Sequence, residues 1–332
     1  MNITFFIGNG FDLNLGLKTG YRDFLNAYIK EGHSNALTDS IKKDIETWAD
    51  LERQLGIYAG TISPEKADEF FNNIDELESS LTQYLKEVSS SKLIVEQNGG
   101  NEFKERITGF VRYLPIREQE HFKVIIAKVC ETIYYSFIDF NYTEYIDQIY
   151  AEAKNVKPFG THIGGSTNYH DEIRMPLHIH GYLDDELILG VNDETQIGET
   201  NATPLPVIVE YMSKPSINDK LGNQKIKQAK TIIDKSLYIC VYGMSLGITD
   251  KSWWSYIGEW LKGSTDRRLI LFMHGDPSHF NLGSRIARKQ DEVRRRFLTT
   301  IEMQDQYESL AQQIIVQFNS SIFDFDSIKL EA

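Results

Sequence analysis

Cysteine is scarce in this sequence. Cys130 and Cys240 stand alone, with no CxxC pair. That spacing excludes a thiolate zinc ribbon, and two isolated thiols make no disulfide framework. Both lie in apolar stretches and read as reduced core residues. Long apolar runs are also missing, and Met1-Asn2-Ile3 opens the chain without a basic region or cleavage signal. No membrane span is expected, and the cytoplasm is the expected compartment. Positive charge is in deficit: 35 Lys and Arg face 48 Asp and Glu, a formal net charge of -13. Phosphate contacts need Lys and Arg, so nucleic acid is not an expected partner. The densest basic set, Arg285, Arg288, Lys289, Arg294, Arg295 and Arg296, reads as a solvated helix face. There is no GxSxG, no HExxH, no internal repeat and no low-complexity tract.

What is present is a chain of 332 residues, 41% hydrophobic, with material for one large domain or two ordinary ones. Residues 3–7 form a short apolar run of strand type. The turn Gly8-Asn9-Gly10-Phe11-Asp12 follows, and helical residues come after it. A strand, a glycine turn and a helix start set bare N–H groups where a phosphate can bind. Asp12 stands at the place of an N-cap or a ribose partner. The full dinucleotide fingerprint would put a third glycine where Leu13 stands.

Further strands are expected over 133–140, 177–180, 187–190, 236–242 and 269–274, and a seventh over 297–301. Helices are expected over 19–33, 225–234 and 253–261. Alternation of this kind predicts an α/β fold with a mostly parallel sheet. Between 34 and 115 the sequence turns polar and helical. Leu37, Ile41, Ile45, Trp48, Leu51 and Leu55 trace one helix face. After Pro64, residues Phe70, Phe71, Ile74, Leu77, Leu81 and Leu85 trace another. The expected division is a core of residues 1–33 and 116–332, with 34–115 as a helical insertion lobe. Segments 160–174 and 192–201 read as loops.

In parallel α/β sheets ligands sit beyond the carboxyl ends of the strands. Three such ends carry polar residues: Gly8 to Asp12, Asp139 to Thr143, and His178 to Gly181. Asn141 can orient a hydroxyl or water, and His180 can take a proton near neutral pH. They form the candidate catalytic pair. His178 and His180 are expected on opposite sides, so that at most one faces the site. Gly243 and Ser245, after a further strand, can line the same pocket, and Asp250 is placed to cap the next helix. His274 and Asp276 read as structural. His162, His170, His178 and His180, with Asp171 and Glu172, offer a rival metal cluster for a nuclease or phosphoesterase. No pair has i, i+4 helical spacing, so no metal is assigned.

The blocks Ile7-Gly-Asn-Gly-Phe-Asp-Leu, Gly16-Leu-Lys-Thr, Tyr21-Arg-Asp-Phe, Trp48-Ala-Asp-Leu-Glu52, Phe140-Asn-Tyr-Thr and His178-Ile-His-Gly resemble the bacteriophage abortive infection AbiH family. That family is in turn similar to the sirtuin-like domains of bacterial NAD hydrolases. The resemblance implies a Rossmann-like, sirtuin-like core with a helical lobe, in an antiphage effector that cleaves NAD+ to nicotinamide and ADP-ribose. It implies Asn141 and His180 as the catalytic pair, with His180 accepting a proton. Gly8, Asn9, Gly10, Phe11 and Asp12 would hold the dinucleotide, and Trp48 and Glu52 would close over it. NAD+ would be substrate, with no further cofactor. A phage-encoded trigger and assembly with other copies or a defence partner are the implied partners. The zinc cysteines of true sirtuins are absent. A non-enzymatic NAD+ or ADP-ribose sensor is the alternative.

Overall fold

A computed structural model describes residues 1–183, 187–198, 203–275 and 282–331. Ten strands occur among them: β1 (Asn2–Ile7), β2 (Leu93–Val95), β3 (Tyr134–Asp139), β4 (Gly160–Gly164), β5 (Thr167–Ile173), β6 (Leu177–His178), β7 (Ser236–Tyr242), β8 (Arg268–Met273), β9 (Ile314–Phe318) and β10 (Ile328–Leu330). Eight of them make one sheet in the order β4-β5-β3-β1-β7-β8-β9, with β6 also paired to β3. Every pairing is parallel except β4 with β5. The mixed α/β, mostly parallel architecture follows. β10 and β2 form a separate antiparallel pair.

β1 is central because all six of its residues can be buried. Ile3, Phe5 and Ile7 enter one core, with Phe103, Phe110 and Phe137, while Phe6 enters the other, with Trp253 and Trp254. Alternate side chains thus feed opposite faces, and helices cover both. Gly99–Thr108 and Ile116–Ile126 lie on the first face. Lys225–Asp234 and Lys251–Lys262 lie on the second. A third core gathers helices Tyr21–Lys30, Ala36–Lys43, Leu51–Ala59 and Ala67–Val88 around Tyr28, Trp48 and Phe70, with Val191, Ile208 and Met212 from later segments. No helix among the described residues is long and apolar enough to cross a membrane.

The apolar series from Leu37 to Leu55 is not one helix. It breaks into Ala36–Lys43, Ile45–Trp48 and Leu51–Ala59. Asp44 causes the first break: its side chain accepts from Thr47 N at 3.1 Å, a local bond that competes with helix continuation. The expected loop over 160–174 is the β4–β5 hairpin. Only one face of it is covered, so it lacks the apolar run by which a buried strand is known. The expected strand over 297–301 is the end of helix Gly283–Thr300, which buries Phe297 and Leu298; a short apolar run fits either element. Residues 187–190 form no strand, and only Val191 makes a parallel bridge, to Ser213. Cys130 is exposed, contrary to expectation, and Cys240 is buried. Asp276 and residues 199–201 lie outside the described residues.

The C-terminal stretch returns to the start of the chain. Phe323 packs against Phe5, Phe11 and Tyr242, and β10 pairs with β2. The Glu102 carboxylate accepts from the Asp326 and Ser327 amides at 2.9 and 2.8 Å.

Candidate functional site

The chain runs from β1 to β3 on one side and returns with β7 on the other, so the strand order reverses at β1. Such a reversal leaves a crevice past the carboxyl ends. Ile7 lies level with Asp139 and Tyr242, and Asp139 with His178. The residues just beyond these positions therefore converge. They line a cavity of about 1180 Å³ that includes Gly8, Gly10, Asp12, Asn141, His180, Gly243 and Ser245.

The glycine turn works differently from the expected phosphate cradle. Gly8 N donates to Tyr242 O at 2.9 Å, Gly10 N to Gly243 O at 2.8 Å, and Phe11 N to Gly8 O at 2.9 Å. These amides are engaged rather than bare. The glycines instead allow two turns to touch: a Cβ on Gly10 would stand 2.4 Å from the Gly243 Cα. Phe11 is buried in the core, edge-on to Phe323, and does not line the cavity.

Asn141 is 6% exposed and its amide donates to Gly8 O at 3.3 Å and Asp12 Oδ1 at 3.5 Å. The Thr143 hydroxyl donates to Asp12 Oδ2 at 2.7 Å. Burial pushes the Asp12 carboxyl up to about 7, against the pull of the Thr143 and Thr19 hydroxyls. Thr19 itself donates to Asn9 Oδ1 at 2.5 Å.

His180 is 5% exposed, and its Nδ1 lies 3.3 Å from Lys214 Nζ. Burial first, and the Lys214 charge second, hold its pKa well below the usual histidine range, so the ring is neutral. Lys214 Nζ also reaches Glu52 Oε1 at 2.7 Å, and Glu52 Oε1 accepts from Tyr21 at 2.9 Å. Asn192 donates to Asp250 Oδ1 at 2.9 Å. Asp250 stands at the expected N-cap but accepts from Asn192 in place of a helix amide, and burial pushes it up to about 7. Among the described lining residues Asp12, Asp50, Glu52, Asp250 and Asp324 face one arginine, Arg296.

Residues 4–274 match the family model for bacteriophage abortive infection AbiH. The chain belongs to the AbiH family. No curated protein matches it. In this AbiH protein the matched span holds the ends of β1, β3, β6 and β7, and β9 and the returning C-terminal stretch fall beyond it.

The histidines of the AbiH chain do not gather. His162 Nδ1 pairs with Asp171 Oδ1 at 2.8 Å within the hairpin. His178 Nε2 lies 2.6 Å from Asp147 Oδ2, and its Nδ1 lies 3.6 Å from Asp139 Oδ2. His180 turns instead to Lys214. The two do part, though alternation along a strand would align positions two apart. They part because β6 ends at His178, so strand alternation no longer governs His180. Among the described residues Asp139, Asp147 and His178 bring ligand-type atoms within 4.8 Å of one another. The 2.6 Å contact to Asp147 is that of a charged hydrogen bond.

Burial disfavours a charged His178, but the Asp147 hydrogen bond and the Asp139 carboxylate outweigh it and raise the ring to about 9. A raised folded pKa gives stability that is full below the unfolded value of 6.5 and lost as pH climbs through about 9. The melting temperature should therefore fall between these limits, and His178→Gln should flatten that part of the curve. An equal slope in the variant would show that other groups set it. Sequence reasoning missed Lys214, Asn192 and Asp147, which carry no motif and act by position alone.

Proposed function

We propose that this AbiH protein is an antiphage effector that cleaves NAD+ into nicotinamide and ADP-ribose, on a Rossmann-like core of sirtuin type. One observation carries the reading: Asn141 and His180, distant in sequence, line the same cavity at the strand-order reversal. The abortive-infection family supplies the biological setting. The cavity, about 1180 Å³, is larger than the ~300–1,000 Å³ usual for a small ligand, as an extended dinucleotide requires.

Cleavage of a nicotinamide–ribose bond passes through an oxocarbenium-like state, as glycoside cleavage does. Water bonds to the ribose carbon, and the electron pair of the C–N bond leaves with nicotinamide. The proton of the water passes to a group on the cavity wall. Carboxylates around the site stabilise the developing cation. The partial protonation that burial imposes on Asp12 and Asp250 eases the approach of an anionic diphosphate. Asn141 places the water or the ribose, and Asp12 beside it or His180 takes the proton.

A second reading, nucleotide binding without turnover, draws on the Lys214 contact that already occupies one nitrogen of His180. Purified protein incubated with NAD+ separates the two. Release of nicotinamide and ADP-ribose is the expected result. A rise in melting temperature with ADP-ribose but no release would favour the sensor. An unchanged NAD+ pool during a phage infection that the protein arrests excludes the hydrolase.

A further inference from the structure

We propose that Lys214 is a positioning residue that fixes the proton of His180 on Nε2 and so makes the imidazole a hydrogen-bond donor, not the base of the reaction. The first half stands on the geometry alone; the second rests on the reading of His180 as part of the reacting site.

An ammonium group has three donors and no acceptor. At 3.3 Å from Lys214 Nζ, the Nδ1 of His180 can only accept. A neutral imidazole that accepts at one nitrogen carries its proton on the other. The ammonium is not free to leave. Lys214 is 1% exposed, and Glu52 holds it at 2.7 Å. Moving it would strand the buried Glu52 without its counter-charge. The backbone is pinned as well, with Lys214 N donating to Val191 O at 2.9 Å and Val191 N to Met212 O at 2.8 Å.

The other groups around the ring agree. Asn192 spends its NH₂ group on Asp250, which leaves its carbonyl oxygen as an acceptor for the imidazole. Phe140 meets the ring edge-on at 5.5 Å, and Tyr142 lies tilted at 6.5 Å. Glu52 and Tyr21 stand behind Lys214, and Asp250 behind Asn192. The nearest charge to His180 is thus positive, and it sits on the nitrogen that a base would need to protonate or keep protonated. With His180 a donor, Asp12 is left as the proton acceptor beside Asn141.

The test is nitrogen-15 NMR of histidine-labelled full-length protein, with His180 assigned from a His180→Gln sample. In the wild type the ring should show the Nε2–H tautomer and stay neutral as pH falls through the ordinary histidine range. Lys214→Met should release it. That variant leaves Glu52 unpaired, so Glu52→Gln/Lys214→Met is measured too, as a neutral pair of similar volume. In the double variant the Nδ1–H tautomer should appear, and His180 should titrate above the wild-type ring while burial still holds it below its ordinary value. A wild-type ring with its proton on Nδ1, or a double variant that titrates like the wild type, overturns the proposal. NAD+ turnover in the same wild-type sample reports separately. The expected spectra, together with an unchanged NAD+ pool during a phage infection that the protein arrests, refute the NAD+ reading and keep the Lys214 assignment. Turnover with an ordinarily titrating His180 does the reverse.

Discussion

Asn141→Ala should lower NAD+ cleavage by about 10²–10³-fold, the loss usual when one oriented polar group is removed from a reacting centre. The Asn141 amide touches Gly8 O and Asp12 Oδ1, so it joins the end of β3 to the turn after β1 at the cavity wall. Without it a water or ribose hydroxyl loses its orientation, and a displacement of about 1 Å can alone cost ~10²-fold. His180→Ala should give a loss of the same order. Nicotinamide release is the measurement, with melting temperatures taken alongside to separate lost chemistry from lost fold. Wild-type activity retained in both variants, in the presence of clear wild-type turnover, would remove this pair from the reaction.

The largest expected effect on stability is that of Gly243→Ala. Gly243 has φ 72°, where an L residue is strained by ~1–2 kcal/mol. Its added Cβ would also stand 2.6 Å from Gly8 O and 2.7 Å from Phe11 N. Both are backbone atoms of the turn after β1 and cannot rotate away, which adds ~1–3 kcal/mol of overpacking. The sum is about 2–5 kcal/mol, enough to lower the melting temperature by roughly 3–7 °C in a chain of this length. Gly222→Ala is the control: its φ is 67°, but nothing stands within 4 Å of the added methyl. If Gly243→Ala melts no lower than Gly222→Ala, the contact between the two turns does not carry the crevice.

The strands that build the crevice are legible in the sequence because they are buried on both faces. β1, β3, β7 and β8 read as continuous apolar runs for that reason. The β4–β5 hairpin is not legible, since water on one face removes the run. The end of helix Gly283–Thr300 misleads, because Phe297 and Leu298 form an apolar cluster too short to show a period. At the site, Asn141 and His180 are visible as polar residues closing apolar strands. Lys214 is not: it opens a helix far along the chain, and only the bridge between Val191 and Ser213 delivers it to His180. The glycines are visible as a turn, but not their purpose. Whether Gly8 and Gly10 leave amides for a ligand or admit a second turn depends on Gly243, more than two hundred positions away.

The packing of residues 319–324 against the turn after β1 sets an order on biosynthesis. Asn319 and Asp324 belong to the cavity wall, and Phe323 lies on Phe11. A ribosome must therefore pass Asp324 before the turn after β1 gains that wall. By this arrangement the cavity cannot be complete while that segment is still to be made.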